Sequence, residues 1–420
     1  MERDDRSVGA GAQGAAAEDL IARADVPAAR LAIAGVAVRT PTLLSADLSD
    51  RAGTPVALKA ECLQGTGSFK LRGALNKVAA LGDGASPGLV TASAGNHARA
   101  LAEAARVRGV SCEVFMPVDA AVSKVAAVER LGARVKLEGS SVDDALALAR
   151  ESSALTGAAL VHPFDDIDVI SGQGTVACEL LEDVPDLARV IVPVGGGGLA
   201  AGIGIALRDA GARVEIVGVQ ASACAPYAEL LRGTGDGAHA PSSATIADGI
   251  AIKRPGALTL PLLRDLLDDL QTVGEDEIAE SMVYLAEHAK LVVEGAGAVG
   301  VALLLGGRLA PVRGTTVAVV SGGNVDSGLL AGLLRRRETE EGRRVRIFTR
   351  VPDQPGGLAE LLSTVAGARA NLVTLEHVRE AVPLHVRETG VELTLETRGP
   401  GHTRELLAAL EHAGYSVTLE

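Results

Sequence analysis

The stretch "GSFKLRGA", residues 67–74, decides how the rest of the chain is interpreted. Lys70 directly follows Phe69, in a chain where only 2% of the residues are aromatic, and small residues precede both. A lysine ammonium group is costly to bury, so a lysine on the first turn of an ordinary helix is expected to face water. The small and apolar neighbours of Lys70 predict instead a lysine held in a confined site.

Short runs typical of β-strands alternate with alanine-rich runs typical of helices over most of the chain. The strand-like runs cover residues 55–61, 88–93, 111–117, 133–139, 189–194, 213–220 and 316–324. The helix-like runs cover residues 68–81, 95–109, 120–132, 142–157 and 198–211. This alternation predicts an α/β fold with parallel sheets, in which ligands bind at the carboxyl ends of the strands.

Composition and charge exclude several classes of protein. The formal net charge of -13 and the lack of a basic stripe argue against nucleic acid as a partner. The four cysteines form no CxxC pair, which argues against a disulfide framework or a zinc site and favours the reducing cytoplasm. The segment 190–207 is uncharged, but it contains a proline and six glycines. We therefore expect a strand, a loop and a helix there rather than a membrane span.

The chain is long enough for more than one domain. The acidic, Gly/Ala-rich residues 1–24 resemble no signal peptide and predict a disordered or flexible arm. We expect a main α/β body over residues 25–335, with a smaller subdomain at roughly 65–165 nested in it, and a charged linker at 336–344. Residues 345–420 then restart as strand, helix, strand, strand, helix and strand, the order of a ferredoxin-like βαββαβ unit.

Three loops, each directly after a predicted strand, carry residues suited to anions or to polar ring atoms. They are "TASAGNH" (91–97), "PVGGGGL" (193–199) and "SGGN" (321–324). The first is also explained by an ordinary helix N-cap, and the third is weak by itself. Four consecutive glycines, however, suit a loop whose N–H groups converge on a phosphate. A lysine, a phosphate cradle, a hydroxyl for a ring nitrogen and a carboxylate site together indicate pyridoxal phosphate chemistry.

The order of "KAECLQGTGSFKLRGA", "ASAGNHA", "GQGT", "PVGGGGL", "EGAGA" and "SGGN" resembles the fold type II (tryptophan-synthase-β-like) enzymes that use pyridoxal 5'-phosphate. Over residues 25–335 the chain resembles the threonine ammonia-lyase (threonine dehydratase) family. Residues 345–420 resemble an ACT regulatory domain. One such domain is typical of the medium-length form of this family.

The resemblance implies a role for each matching residue. Lys70 would hold the cofactor as a Schiff base and act as the catalytic base. The other cofactor-binding positions implied are Phe69, Asn96, Gly195, Gly196, Gly197, Gly198 and Ser321. The substrate-binding positions implied are Ser93, Ala94, Gly95, Asn96, His97 and Gln173. Of the supporting positions, Gln173 and Gly249 are implied to act through their neighbours. The regulatory positions implied, for a branched-chain amino acid, are Asp353, Pro355, Gly356, Gly357, Leu358 and Asn371.

The activity implied is β-elimination of L-threonine to 2-oxobutanoate and ammonia, and of L-serine to pyruvate, by a homodimer or homotetramer on the route to isoleucine. Serine racemase is the nearest alternative, but that family has a serine where this chain has Ala94. Gln220 and Pro226 stand where related enzymes carry acidic metal ligands, so we expect no divalent-metal site there. Glu294 is explained equally well by a nearby cation or by a solvated or salt-bridged glutamate. A ligand-sensing protein with an inactive catalytic body is the non-enzyme alternative.

Overall fold

The computed structural model describes residues 17–236, 245–379, 385 and 387–419. It divides into two compact units, residues 1–326 and residues 327–420. The arm predicted for residues 1–24 lies outside the described residues as far as residue 16. Residues 17–23 are helical, and Leu20 and Ile21 pack into the larger core. The prediction of a flexible arm is therefore wrong for residues 17–23, because this helix has an apolar face that the core covers.

The first unit alternates strands and helices along the chain. Its helices and strands in order are α1 (17–23), α2 (Val26–Ala32), β1 (Thr42–Leu44), α3 (Ala46–Ala52), β2 (Val56–Lys59), α4 (Lys70–Leu81), β3 (Leu89–Ala92), α5 (Asn96–Arg108), β4 (Cys112–Met116), α6 (Val122–Glu129), β5 (Arg134–Leu137), α7 (Val142–Thr156), β6 (Ala159–Leu160), α8 (Ile167–Asp183), β7 (Leu187–Pro193), α9 (Gly198–Asp209), β8 (Glu215–Ala221), α10 (Pro226–Arg232), α11 (Thr259–Leu266), β9 (Asp269–Val273), α12 (Glu275–Tyr284), α13 (Gly295–Leu305) and β10 (Thr315–Val319). Single turns of tighter or wider helix lie at Glu61–Leu63, Gly82–Ala85, Asp248–Ile250 and Leu285–Ala289.

The larger sheet has six strands in the order β1-β2-β10-β7-β8-β9. Only β1 is antiparallel to its neighbour, and every other pair is parallel. β10 is buried along its whole length, which explains why its last three residues, 317–319, are all apolar rather than alternating with polar ones. The segment 190–207 forms the end of β7, the glycine loop and most of α9, so the prediction of strand, loop and helix is confirmed.

The smaller sheet has four parallel strands in the order β5-β4-β3-β6 and lies within residues 89–160. The prediction of an α/β fold with parallel sheets is confirmed by both sheets of this unit. The carboxyl ends of β3, β7 and β10 lead directly into the three loops singled out in the sequence. Among the described residues, no helix is long and apolar enough to cross a membrane.

The second unit begins with a helix and continues as an antiparallel sheet with two further helices. Its elements are α14 (Ser327–Glu340), β11 (Arg344–Pro352), α15 (Gly357–Gly367), β12 (Asn371–Val378), β13 (Glu388–Glu396), α16 (Pro400–His412) and β14 (Thr418–Leu419). From β11 onwards the order is βαββαβ, as predicted, and the strand order β12-β13-β11-β14 is that of a ferredoxin-like sheet.

The charged run after residue 335 is not a linker throughout. Helix α14 continues to Glu340, which covers more than half of the linker predicted for residues 336–344. Ion pairs of 2.8 Å join Arg336 to Glu340 and Arg337 to Glu341, one helical turn apart. Such pairs stabilise an exposed helix, so a run that is too polar to pack in a core still forms regular structure.

Candidate active site

Lys70 is the first residue of α4, and the residues before it are attached to the end of β10. The backbone N–H of Phe69 donates to the carbonyl oxygen of Ser321 at 3.1 Å, and Ser68 forms an antiparallel bridge with Gly322. The Nζ atom of Lys70 donates to the carbonyl oxygen of Pro163 at 2.9 Å and lies 5.3 Å from the centre of the Phe69 ring. The lysine singled out in the sequence therefore lies in a cavity at the carboxyl end of the larger sheet.

The environment of Lys70 favours the neutral amine. Burial lowers the pKa of the Lys70 amine to about 8, and the charge of Glu294 opposes that shift. A lysine needs its neutral form to attack a carbonyl carbon, and desolvation is the usual way in which proteins supply that form. Lys70 thus combines position and protonation state for covalent chemistry with an aldehyde.

The glycine loop lies between β7 and α9 and forms one wall of the same cavity. A Cβ atom on Gly196 would lie 2.0 Å from the Phe164 ring, and one on Gly195 would lie 2.9 Å from the Cα atom of Ile250. Gly197 has φ +86°, and no side chain caps the N-terminus of α9. The loop thus needs glycines for space and for backbone geometry, and it leaves first-turn N–H groups of a 12-residue helix for a ligand.

The loop after β3 offers its backbone rather than its histidine. The hydroxyl oxygen of Ser93 accepts from the N–H of Gly95 at 3.2 Å, and Ser93 through His97 line an adjoining cavity that shares Lys70 and Gly196 with the first. The ring of His97 is buried, with Nε2 3.1 Å from the carbonyl oxygen of Val161. Burial and the charge of Lys70 lower the pKa of His97 to about 3. Because its ring is neutral and bonded elsewhere, His97 can contribute only its main chain to an anion site.

Asn96, Ser321 and Gly249 also line this cavity, together with a carboxyl group from Glu294. The Nδ2 atom of Asn96 donates to Oε1 of Glu294 at 2.6 Å, and the Glu294 side chain is buried, so the alternative of a solvated glutamate is wrong. Burial, followed by the charge of Asp248, raises the pKa of Glu294 to about 7. The Ser321 hydroxyl makes one long contact, at 3.5 Å, to the carbonyl oxygen of Ala296.

Gln173 belongs to α8, and its side chain contacts α4. Its Oε1 atom accepts from the backbone N–H of Gly73 at 3.2 Å, and its side chain is buried. A Cβ atom on Gly73 would lie only 2.2 Å from Nε2 of Gln173, which explains the glycine. The structure places Gln173 on the cavity wall and gives it a contact with α4.

Gln220 is fully buried and bonded through both ends of its amide. Its Nε2 atom donates to the carbonyl oxygen of Val194 at 3.2 Å, and its Oε1 atom accepts from the N–H of Ala228 at 2.9 Å. Pro226 is at the start of α10. In the part of the chain that the structure describes, no group of three or more His, Cys, Asp or Glu side chains is arranged to hold a metal ion.

The segment "HPFDD", residues 162–166, was not predicted as part of the site, although its Pro163 and Phe164 line the cavity. Its Pro163 accepts the hydrogen bond from Lys70, and its Phe164 packs over Gly196. The signal that was available is two consecutive aspartates directly before a helix. Such residues are expected to cap helices rather than to approach a ligand.

The two aspartates of this segment do cap helices. The carboxylate of Asp165 accepts from the N–H groups of residues 257–259, at the start of α11, over 2.8–3.1 Å. Asp166 accepts from the N–H of Asp168 in the first turn of α8 at 2.9 Å. The segment is thereby fixed at its far end, which holds the Pro163 carbonyl in place for Lys70.

In the second unit, the residues implied as regulatory do not all come together within one chain. Residues 353–358 connect β11 to α15, with Gly356 at φ +97° and the carboxylate of Asp353 3.3 Å from the Arg379 guanidinium. Asn371 begins β12, where its amide donates to Glu396 at 2.9 Å. Pro352 pairs with Glu388 and Asn371 with Glu396, which are the two ends of β13. Within one chain Asn371 is therefore separate from the 353–358 turn.

Comparisons with known proteins define the class of this site. The sequence profile of the family described as "Pyridoxal-phosphate dependent enzyme" matches residues 33–322. The chain belongs to this family of pyridoxal-phosphate-dependent enzymes, and the predicted cofactor is confirmed.

Within the family, the chain is similar to two L-threonine ammonia-lyases. It is 43% identical over 380 residues to the one from Geobacter sulfurreducens, which covers 90% of this chain and 94% of that protein. It is 41% identical over 403 residues to the one from Thermotoga maritima, which covers 95% of this chain and 100% of that protein. Among solved structures, maize serine racemase superimposes with a TM-score of 0.70 and 35% identity, over 76% of this chain and 98% of that one.

The cavity fits pyridoxal phosphate in three independent respects. Lys70 supplies an amine whose pKa of about 8 leaves a neutral fraction for the aldehyde. The uncapped N-terminus of α9 and the glycines before it supply N–H groups for the phosphate. Ser321 supplies a neutral hydroxyl at the end of β10 for the ring nitrogen.

Proposed function

We propose that this protein is an L-threonine ammonia-lyase that converts L-threonine to 2-oxobutanoate and ammonia, and L-serine to pyruvate. One observation carries the proposal. The Lys70 amine, whose pKa is lowered to about 8 in a cavity that the glycine loop and Ser321 also line, occurs in a chain 41% and 43% identical to two L-threonine ammonia-lyases. β-Elimination from a hydroxy amino acid needs a base at Cα and an anchor for the carboxylate, and this cavity has residues for both.

Bound pyridoxal phosphate supplies the electron sink that makes the Cα proton of an amino acid acidic. Lys70 would hold the cofactor between turnovers and, once released, would accept the Cα proton on Nζ. The β-hydroxyl group leaves with a proton as water, and hydrolysis of the released enamine gives the 2-keto acid and ammonia. The Ser93 hydroxyl and the N–H groups of residues 94–97 bind the substrate carboxylate at the end of β3. Phe69 and Phe164 line the cavity and add apolar surface to its wall. Ser321 would offer a neutral hydroxyl to the ring nitrogen of the bound cofactor, which favours elimination over transamination.

The proposal is tested by the substitution Lys70→Ala, with Lys136→Ala as a matched control on β5, outside the cavity. Production of 2-oxobutanoate from L-threonine is expected to fall by orders of magnitude in the first variant and to stay unchanged in the second, because only Lys70 is both tether and base. Borohydride reduction with bound cofactor is expected to label Lys70 in the wild type. Near-normal deamination by the Lys70→Ala protein would refute the assignment.

Ala94 favours elimination over racemisation as the main reaction. A racemase needs a second proton donor or acceptor on the opposite face of Cα, and the methyl group of Ala94 cannot exchange a proton. Chiral analysis of the L-serine reaction is expected to show pyruvate with little D-serine. An equal or larger yield of D-serine would identify the protein as a racemase instead.

For the second unit we propose an ACT-type regulatory role, in which isoleucine lowers the activity and valine opposes it. The βαββαβ order of the second unit supports this. The alignment with the Thermotoga maritima relative covers 95% of this chain, so it extends into the second unit. The turn at residues 353–358 is the effector site that we propose. In the substitution Asp353→Ala, we expect isoleucine inhibition to require higher concentrations than in the wild type or in Asp83→Ala, an exposed site in the first unit. If the isoleucine inhibition curves of Asp353→Ala and the wild type superimpose, the turn at residues 353–358 is not the effector site. Because effector and substrate binding are reciprocally linked, substrate is also expected to change the affinity for isoleucine.

The proposed setting is the cytoplasm, where the enzyme would catalyse the first step towards isoleucine as a homodimer or homotetramer. All four cysteines are free, which suits a reducing compartment. Sedimentation equilibrium of the purified protein tests the proposed assembly. A monomer mass that does not change with concentration would exclude both the homodimer and the homotetramer.

A further inference from the structure

Four side chains from three parts of the chain form a continuous series of hydrogen bonds beside Lys70. We call Arg99, Asn324, Asn96 and Glu294 the amide relay. Arg99 donates to Oδ1 of Asn324, Nδ2 of Asn324 donates to Oδ1 of Asn96 at 2.6 Å, and Nδ2 of Asn96 donates to Oε1 of Glu294 at 2.6 Å. Asn324 belongs to the "SGGN" motif, to which the proposed function gives no role beyond Ser321.

The chemistry of its ends fixes the direction of this relay. A guanidinium group can only donate, so Arg99 must face the oxygen of the Asn324 amide. The nitrogen of that amide then has two acceptors, Oδ1 of Asn96 and the carbonyl oxygen of Thr66 at 3.0 Å. At the other end, Oε1 of Glu294 accepts whether the carboxyl group is ionised or carries its proton on Oε2. A flipped amide at Asn324 or Asn96 would place oxygen against oxygen.

The surrounding glycines leave room for the relay. A Cβ atom on Gly67 would lie 2.6 Å from Oδ1 of Asn324, and one on Gly322 would lie 2.3 Å from Oε1 of Glu294. Gly67 is three residues before Lys70 and has φ +81°. The turn that presents Lys70 and the amide relay are therefore packed directly against each other, and this packing requires glycine at positions 67 and 322.

We propose that Asn324 and Arg99 are positioning residues that hold the Asn96 amide with its nitrogen towards the cavity. The oxygen of that amide and one hydrogen of its nitrogen are used within the relay, so the second hydrogen is the group that Asn96 presents to a ligand. An N–H donor suits an anionic ring oxygen, whereas a carbonyl oxygen in its place would repel one. The inference deepens the proposed function and rests on it for the identity of the cofactor.

The test is the isosteric substitution Asn324→Asp, studied by cofactor binding rather than turnover. A carboxylate keeps the contact with Arg99 but has no hydrogen for Asn96 or Thr66, so the Asn96 amide loses its fixed orientation. We expect the dissociation constant for pyridoxal phosphate to rise about tenfold or more, as for loss of a charge-assisted contact, and the absorption maximum of the bound cofactor to shift. Arg99→Met removes the donor to Asn324. It is expected to raise the dissociation constant for pyridoxal phosphate and to shift the absorption maximum in the same direction as Asn324→Asp does.

The matched control is Asn76→Asp, on the same helix as Lys70. The Asn76 amide is also buried and donates to a backbone carbonyl, that of Asp168, at 2.7 Å, but it is outside the relay. Thermal unfolding of the cofactor-free proteins identifies any variant that fails to fold. If Asn324→Asp fails to fold, the cofactor affinity and absorption of Arg99→Met test the inference instead. Unchanged affinity and absorption in both relay variants, or the same loss in Asn76→Asp, would overturn the inference. A wild-type protein that binds no cofactor would overturn the proposed function instead.

Discussion

We expect the substitution Arg72→Met to lower the free energy of unfolding of the cofactor-free protein by about 3–5 kcal/mol. The Arg72 guanidinium is almost fully buried, two residues after Lys70. It donates to both oxygens of Glu61, at 2.8 and 2.9 Å, and to both oxygens of Glu179, at 2.6 and 2.9 Å. Without it, the fully buried carboxyl group of Glu61 loses the cation with which it is paired.

The magnitude follows from burial rather than from the number of contacts. An exposed ion pair contributes about 0–1 kcal/mol, whereas a buried charge left without its partner costs several times more. Arg106 is the internal control, since it also makes two hydrogen bonds to one carboxylate, that of Glu103, but is more than half exposed. We expect Arg106→Met to cost less than about 1 kcal/mol.

The assay is urea unfolding followed by circular dichroism, with hydrogen exchange of the α4 amides as a local readout. The double variant Glu61→Gln/Arg72→Met removes the uncompensated charge, while Lys59 still pairs with Glu179 at 2.7 Å. It is therefore expected to recover at least about 2 kcal/mol of the loss. The reasoning is refuted if the double variant is no more stable than the single one, or if Arg72→Met costs no more than Arg106→Met.

Two further predictions concern the cavity. Gly196→Ala places a Cβ atom 2.0 Å from the Phe164 ring, so the ring or the loop must move. We expect titration with pyridoxal phosphate to show about ten- to a hundredfold weaker binding. The control is Gly84→Ala, where the added Cβ atom has nothing within 4 Å, and equal affinities of the two variants would contradict the prediction. Because the pKa of Glu294 is raised from 4.5 to about 7, the folded state retains the proton more strongly than the unfolded state. As pH rises from about 4.5 to 7, the free energy of unfolding of the wild type should therefore fall by up to about 3 kcal/mol relative to that of Glu294→Gln. If the curves of unfolding free energy against pH for the two proteins are parallel, this carboxyl group is not desolvated.

The sequence was sufficient for the features that depend on a residue's immediate neighbours. Runs of apolar residues predicted β7 and β10, and the glycines between β7 and α9 predicted a loop with free N–H groups, because backbone conformation there depends on local side chains. The choice of Lys70 also came from its flanking residues, and the structure places it on the wall of a cavity. The charged run after residue 335 shows the limit of this reasoning, since its polarity excluded burial but not a helix.

Tertiary structure alone decided which side chains meet. Asn96 contacts partners 198 and 228 positions away, and no spacing rule connects them. The protonation states likewise depend on the fold, because the pKa of Lys70 falls and that of Glu294 rises only after packing removes water from both groups. Local sequence determines what each segment can become and which groups it carries, whereas long-range packing determines which groups are brought together and how far they are desolvated.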